Sequence, residues 1–365
     1  MTTGGRILRL RRWLTTTDLG LSLVAVVLGL AAGATILAIT SEEPLVAYSA
    51  FLKGAVGSRR GVGETFYYTT QLILAGLAVA LSFRCGIFNL GSQGQIILGA
   101  MGAAWAGYWV RGLPPVVHLP LALVVGSVLG MAWSALAGLF KAHLKMHEVI
   151  TTLMMNYIVV YLQRWVVGIG GPMKEPGGIP QSPRVLASAE LPRFWADARL
   201  HAGIFVALAC VVAIWYLLFR ARLGYKIRAV GLSPTAAEFG GIRVARSIVV
   251  TMAISGALAG LAGAIEVLGV QYRLTQDLTA NYAWDAIAVA LLGGLHPVGA
   301  MLAALLFGAL SSGFTFAQGV ADVSRDTVLI VTALIIFLMV LIRSRKGVAV
   351  AAQGDKSRGG LEQST

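Results

Sequence analysis

Charge is what this sequence has least of. Asp, Glu, Lys and Arg make up only 12% of its 365 residues, about half the share of an average soluble domain. With 57% apolar residues and a mean hydropathy of +0.78, that scarcity excludes a water-soluble globule. It equally excludes a disordered chain, which needs low hydrophobicity and high charge. Cysteine is nearly absent. Cys85 and Cys210 are far apart and lie in or beside apolar runs, so no disulfide framework or metal quartet can be assembled, and both read as small hydrophobes. There is no Gly-x-x-x-x-Gly-Lys-Ser/Thr phosphate loop, which excludes ATP hydrolysis by that route. There is also no Gly-x-Ser-x-Gly nucleophile elbow, and no convergent acid, base or metal set for an intramembrane enzyme.

What is present is a series of apolar runs. A crossing needs about 20 apolar residues, and such runs lie at Leu19 to Thr40, Phe66 to Phe83, Gln95 to Val110, Val116 to Phe140, Val149 to Val167, His201 to Phe219, Ser247 to Gly269 and Thr327 to Ile342. Asp285 to Phe316 is interrupted by Gly293, Gly294, His296 and Pro297; counted as two crossings it brings the total to about ten, counted as one, to about nine. The chain therefore reads as all-α, a polytopic membrane helical bundle. The first run follows Arg6, Arg9, Arg11 and Arg12, but it is too long for a signal h-region and lacks a clear cleavage site, so it reads as an uncleaved span.

The formal charge of +13 sits in short clusters between apolar runs rather than on one surface, so no nucleic-acid partner is expected. The clusters instead set orientation through the positive-inside rule. With ten spans both termini are cytoplasmic, and Arg84, Lys141, Lys145, the cluster from Arg220 to Arg246, and Arg343, Arg345 and Lys346 all lie inside. Nine spans would place the last three outside. Asp285 to Leu295 is short enough for a half-helix or re-entrant segment. The expected organisation is a basic segment over 1–18, one transmembrane domain over 19–342 with an inside loop at 220–246, and a disordered cytoplasmic tail over 343–365. Gly168 to Leu200, rich in proline, falls outside.

Arg84 to Gln95 places three glycines and the carboxamides Asn89, Gln93 and Gln95 between two apolar runs. Glycine permits non-helical backbone, and amides supply donors and acceptors without a buried charge. A cytoplasmic turn and a broken helix packed inside the protein are both compatible with this composition, and amide density favours the second. Asn156 lies within a span and must find a partner, either a neighbouring helix or solute. On the inside loop, Ser233 can cap a short helix with Pro234 at its first position, Glu238 within it, and Gly240 and Gly241 at its end, which suits docking to a soluble partner better than plain connection. His143, His147 and Glu148 lack the His-Glu-x-x-His order of a zinc site, so no metal is expected. Glu148, Glu266 and Asp285 fall near predicted span ends, where water can solvate them. A short echo, Leu77-Ala-Val-Ala-Leu81 against Ile287-Ala-Val-Ala-Leu291, precedes the two glycine interruptions, as in transporter folds with interrupted helices in both halves.

Leu81 to Gln95, His147 to Asn156, Gly231 to Ile242 and Ala286 to Gly294, in that order, resemble the permease subunits of bacterial ABC importers. The chain is most similar to the nucleoside and simple-sugar branch, related to the ribose and branched-chain amino-acid permeases. The resemblance implies a multi-pass protein of the bacterial plasma (inner) membrane with no enzymatic activity and no cofactor of its own. ATP and Mg would be used by two cytoplasmic ABC ATPase subunits. A second permease, identical or paralogous, and an extracytoplasmic solute-binding protein would complete the assembly. Phe88, Asn89, Gln93, Gln95 and Asn156 would line the translocation pathway. Pro234, Ala237, Glu238, Phe239, Gly240 and Gly241 would form the coupling helix that enters a groove on the ATPase. Family members often carry an acidic residue where this chain has Gln93. The expected solute is neutral and polar, a nucleoside or simple sugar, moved by alternating access. The competing readings are a branched-chain amino-acid or autoinducer permease and, from another class, an ion-coupled secondary transporter.

Overall fold

A computed structural model describes residues 44–276, 278 and 282–321, together with isolated helical positions at Ala31, Thr35, Ile330, Ala333, Leu334 and Phe337. The expected basic segment and tail lie outside the described residues, as do the first and last spans apart from those isolated positions. Among the described residues the regular structure is helical, with only two isolated β-bridges. The helices are α1 (Pro44–Leu52), α2 (Arg59–Arg84), α3 (Ser92–Trp109), α4 (Pro115–Leu144), α5 (Glu148–Val167), α6 (Gly203–Arg220), α7 (Arg222–Leu232), α8 (Pro234–Phe239), α9 (Val244–Glu266), α10 (Tyr282–Leu292) and α11 (Pro297–Ala321). Each internal run read from sequence is helical. Five of these segments are long and apolar enough to cross a membrane: α2, α4, α6, α9 with its π-helical extension to Gln271, and α11. The helices α3 and α5 occupy two further runs without reaching the apolarity of those five.

The sequence explains where several helices begin and end. The Ser58 hydroxyl accepts from the Gly61 N–H at 2.9 Å and opens α2, satisfying one of the orphan donors of a first turn. Pro115 starts α4, where a missing N–H costs nothing, and Lys145 in the left-handed region (φ 53°) ends it. The interrupted run Asp285 to Phe316 resolves into two helices. Its turn carries Gly294 at φ +66° and Leu295 at φ +55°, and Pro297 begins the next helix. At 11 residues, α10 is about 16 Å long, roughly half a hydrocarbon core.

Two compact units are present. The larger is Ala55–Ser312; the smaller takes in Met1–Gly54 and Gly313–Thr365, and in its described part the rings of Phe51 and Phe314 pack at 52° with centroids 4.9 Å apart. In the larger unit α3, α4 and α9 meet backbone to backbone. A methyl group added at Gly263 would stand 1.8 Å from the Ile96 carbonyl oxygen, and one at Gly130 would stand 2.4 Å from that of Gly256. Lipid supplies no hydrophobic drive for helix association, so close van der Waals contact through small residues takes its place. The most enclosed helix is α2, with 83% of its apolar window buried, against 22% for α4. The former is thus the centre of the unit and the latter offers a broad outer face.

Inter-helix contacts sort the connections into two ends. At one end the Arg84 guanidinium donates to the carbonyls of Leu295 and Gly294, at 2.9 and 3.3 Å, and Phe219 stacks on His296 at 5.1 Å. Gly231 lies so close to Arg84 that an added methyl would stand 2.0 Å from its carbonyl oxygen. At the other end Arg199 pairs with Glu64, Arg193 donates to the carbonyls of Gly269 and Val270, and the Leu186 N–H donates to the Gly107 carbonyl at 2.9 Å. The two echo segments prove to be neighbours. Gly76 abuts Val289 and Arg84 reaches Leu295, so α2 and α10 run side by side in the same direction. Each is followed by a glycine at positive φ, Gly86 at +76° and Gly294 at +66°.

Candidate pathway and coupling sites

Between α2 and α3 the chain is broken from Cys85 to Leu90, and side chains replace the missing helical hydrogen bonds. The Asn89 amide nitrogen donates to the Ser255 hydroxyl at 3.0 Å and to Gln95 Oε1 at 3.3 Å. Its oxygen accepts from the Gly91 N–H at 3.0 Å and from Gln95 Nε2 at 3.1 Å. Asn156, on α5, donates to the Leu90 carbonyl and accepts from the Gly94 N–H, both at 2.9 Å. Asn89, Gln95 and Asn156 are all buried. A buried amide left unbonded costs roughly 1–3 kcal/mol; here every oxygen and nitrogen is engaged, and the network ties the break to α5 and α9. The segment is a turn between two helices of opposite direction, since Arg84 lies at one end and Gly107 on α3 reaches Leu186 at the other. Its own amides pack it into the protein, so it combines features of both readings. Gln93 is half-buried without a hydrogen bond of its own, and Phe88 is 54% exposed, its ring 4.8 Å from that of Phe83. The five expected pathway residues thus divide into three that are buried and hold the segment in place and two, Gln93 and Phe88, that are half-buried or exposed.

The short helix α8 forms where the punctuation predicts. The Ser233 hydroxyl accepts from the Ala236 N–H at 3.3 Å. Pro234 occupies the first turn, and Gly241 closes the end at φ +78°. Ala237 and Ile242 point inward and are buried, and the Ile242 N–H donates to the Ala237 carbonyl at 3.0 Å. Pro234, Glu238, Phe239, Gly240 and Gly241 are exposed, with Phe239 at 90%. One small residue anchors a knob whose tip is a phenylalanine. His143 and His147 are exposed, and Glu148 is paired with Lys141 at 2.7 Å.

A second polar cluster was not singled out from sequence. Glu266 was expected near a span end, within reach of water. The structure instead buries it to 4% exposure, because the π-helical turn Val267–Gln271 continues past it and the Gly168 to Leu200 segment covers that end. Its carboxylate accepts from the Tyr67 hydroxyl at 3.0 Å, Gln71 Nε2 at 3.0 Å and Gln271 Nε2 at 3.2 Å. The sequence signal was the polar run Tyr67-Tyr68-Thr69-Thr70-Gln71 directly before the apolar stretch of α2. In the covering segment Arg199 donates to Glu64 at 2.6 Å and stacks over the Tyr67 ring at 4.1 Å. Burial alone would lower its pKa, but the bond to Glu64 and the neighbouring tyrosines hold it above the ordinary arginine value. The sixth run was expected to begin at His201, but the helix starts at Gly203, leaving His201 outside it. Burial, and then the nearby charge of Arg193, pull the His201 pKa down to about 4.

Five helices long and apolar enough to cross a membrane, with shorter apolar helices beside them, make this an integral membrane protein. The chain belongs to the family described as branched-chain amino acid transport system / permease component, whose model matches residues 61–340. It is 40% identical over 320 residues to the guanosine ABC transporter permease protein of Bacillus subtilis, covering 87% of this chain and 91% of that protein. It is 32% identical over 327 residues to the nucleoside ABC transporter permease protein of Lactococcus lactis (87% and 89%). It is also 32% identical over 353 residues to the glucose ABC transporter permease protein of Haloferax volcanii (92% of each). No solved structure matches it. The chain is a permease component of an ABC importer, an integral protein of the inner membrane.

Proposed function

We propose that this permease moves a nucleoside, or failing that a simple sugar, by alternating access, powered by separate ATPase subunits and fed by an extracytoplasmic binding protein. The observation that carries the solute class is the 40% identity to a guanosine permease across nearly the whole of both chains. An amino-acid solute is favoured by the family description, but the most similar relatives quoted above are named for nucleosides and glucose. About ten crossings with cytoplasmic termini agree with the sorting of connections: the segments around Arg84, Gly231 and Leu295 meet at one end, which the positive-inside rule makes cytoplasmic. On that side α8 is the coupling helix. Ala237 roots it, and Phe239 and Glu238 enter the ATPase groove. A second permease completes the pathway, to which Phe88 and Gln93 contribute accessible side chains while Asn89, Gln95 and Asn156 hold the break that presents them.

The test is uptake of radiolabelled guanosine, ribose and leucine into proteoliposomes containing the permeases, ATPases, binding protein and ATP. Nucleoside uptake that vanishes without ATP is the expected result. Uptake by this chain alone on an ion gradient would replace the reading with a secondary transporter. Phe239→Ala and Glu238→Arg should cut coupled uptake at least tenfold, with the ATPase either lost on co-purification or hydrolysing ATP without transport. Normal uptake with both variants removes α8 from the coupling role.

A further inference from the structure

The carboxylate of Glu266 is buried with three neutral donors and no cation in contact. Arg199, on the far side of the Tyr67 ring, is committed to Glu64. An ionisable side chain enclosed at membrane depth is expensive to keep, and such groups mark solute or ion pathways by default. Three further atoms in the same neighbourhood are buried with no partner among the described residues: Gln71 Oε1, the Tyr282 hydroxyl and Nε2 of His201, whose ring packs 6.3 Å from that of Tyr67. Gln71 is only 1% exposed and its other amide atom already bonds Glu266. Tyr282 is the first described residue of α10, which runs along α2 with Val289 against Gly76, so Tyr282 lies about two turns nearer the end of α2 that carries Tyr67 and Gln71. Native proteins leave few buried polar atoms unsatisfied, and each such atom needs a reason.

Three structural irregularities converge here. α9 gives way to a π-helical turn directly after Glu266, and such turns recur at functional sites. α10 is described over only 11 residues, Tyr282–Leu292, and ends at the glycine turn that separates it from α11, and discontinuous helices form the solute site in transporter folds. The third is the cover on Glu266. Gln271 donates to its carboxylate yet is itself exposed, so one of the three groups that enclose Glu266 stands in contact with the end that carries Arg193 and Arg199.

We infer that Glu266, Gln71 and Tyr282, bordered by Gln271, form an acceptor-rich subsite for paired hydrogen-bond donors of a neutral solute. This rests on the function proposed above and deepens it. Two oxygens of Glu266 and Oε1 of Gln71 are acceptors, and the Tyr282 hydroxyl can accept as well. Adjacent donors that match them are the vicinal hydroxyls of a pentose or the ring N–H and exocyclic amino group of a guanine. Donors on the solute replace the donation from Gln271 and satisfy the idle atoms of Gln71 and Tyr282, so the carboxylate is never left bare. A solute with acceptors in those positions would be repelled.

The decisive variant is Tyr282→Phe. It removes an oxygen that bonds nothing in the structure, so the protein should keep or gain thermal stability while its half-saturating concentration for uptake rises several-fold. Glu266→Gln should lower nucleoside uptake on the order of tenfold or more, the usual consequence of losing a charged acceptor, with ATPase assembly retained. Competition with guanosine, inosine, which lacks the exocyclic amino group, and 2′,3′-dideoxyguanosine separates the two donor sources. Glu266→Gln should shrink the spread between guanosine and whichever analogue lacks the recognised donor, while the binding protein filters variant and wild type alike. Unchanged uptake in Tyr282→Phe overturns the subsite, as does a loss in Glu266→Gln that is equal for all three solutes. If the wild-type complex transports no nucleoside, the proposed function has failed instead.

Discussion

The two buried polar networks of the larger unit solve the same problem in opposite ways. Around Asn89 each amide atom is bonded, to Gln95, Ser255, or the Gly91 backbone, and Asn156 uses both of its amide atoms on the backbone of the broken segment. Around Glu266 the carboxylate is served, but Gln71 Oε1, the Tyr282 hydroxyl and His201 Nε2 are idle. A saturated network stabilises one arrangement of the chain; an unsaturated one keeps capacity for something that is not part of the chain. The amides that stand out in the sequence belong to the first kind, and the carboxylate that looked solvated belongs to the second.

The largest expected effect comes from breaking the saturated network. Asn89→Ala strands the Gly91 N–H and the Gln95 amide, and should cost roughly 3–5 kcal/mol. Its thermal unfolding midpoint in detergent should fall sharply, and an unchanged midpoint would show that the network is not the staple of the α2–α3 break. An intermediate effect tests the cap over Glu266. His201 is folded neutral, its pKa drawn from 6.5 to about 4 by burial and then by Arg193. Its contribution is therefore complete above pH 6.5 and is lost as the pH falls towards 4. About 2 kcal/mol should be gone at pH 5, visible as lower protection factors over residues 181–203 than at pH 7.5, each rate taken relative to intrinsic exchange at its own pH. Equal protection at the two values would contradict it. The smallest stability effect is Gln93→Ala, within about 0.5 kcal/mol because no bond is lost, yet uptake should fall several-fold if Gln93 faces the pathway. A variant with wild-type transport would leave Phe88 as the only accessible pathway residue of that segment.

Much of the architecture is legible residue by residue. The apolar runs mark the helices, Ser58 and Ser233 mark two helix starts, and the Gly293-to-Pro297 interruption marks the turn that divides α10 from α11. Coupling-helix exposure is also readable, since a serine cap, a first-turn proline and terminal glycines leave little in a short helix to bury except Ala237. The pathway residues were less legible. Asn89, Gln93 and Gln95 look equivalent in composition, but a break between helices turns two of them inward and leaves the third half-buried. Glu266 was misplaced in depth because a π-helical turn and a proline-rich cover extend the interior beyond the apolar run that predicts it.

Composition and spacing alone determined that this chain lives in a membrane, which stretches form its internal helices, and that a short capped helix stands exposed. Those properties follow from local rules: apolar length, capping chemistry and the distribution of positive charge. Which polar side chains satisfy one another and which are held in waiting was decided only by tertiary structure. Hydrogen bonds join residues as far apart as Tyr67 and Glu266, separated by 199 positions, and no local pattern records whether such a partner arrives.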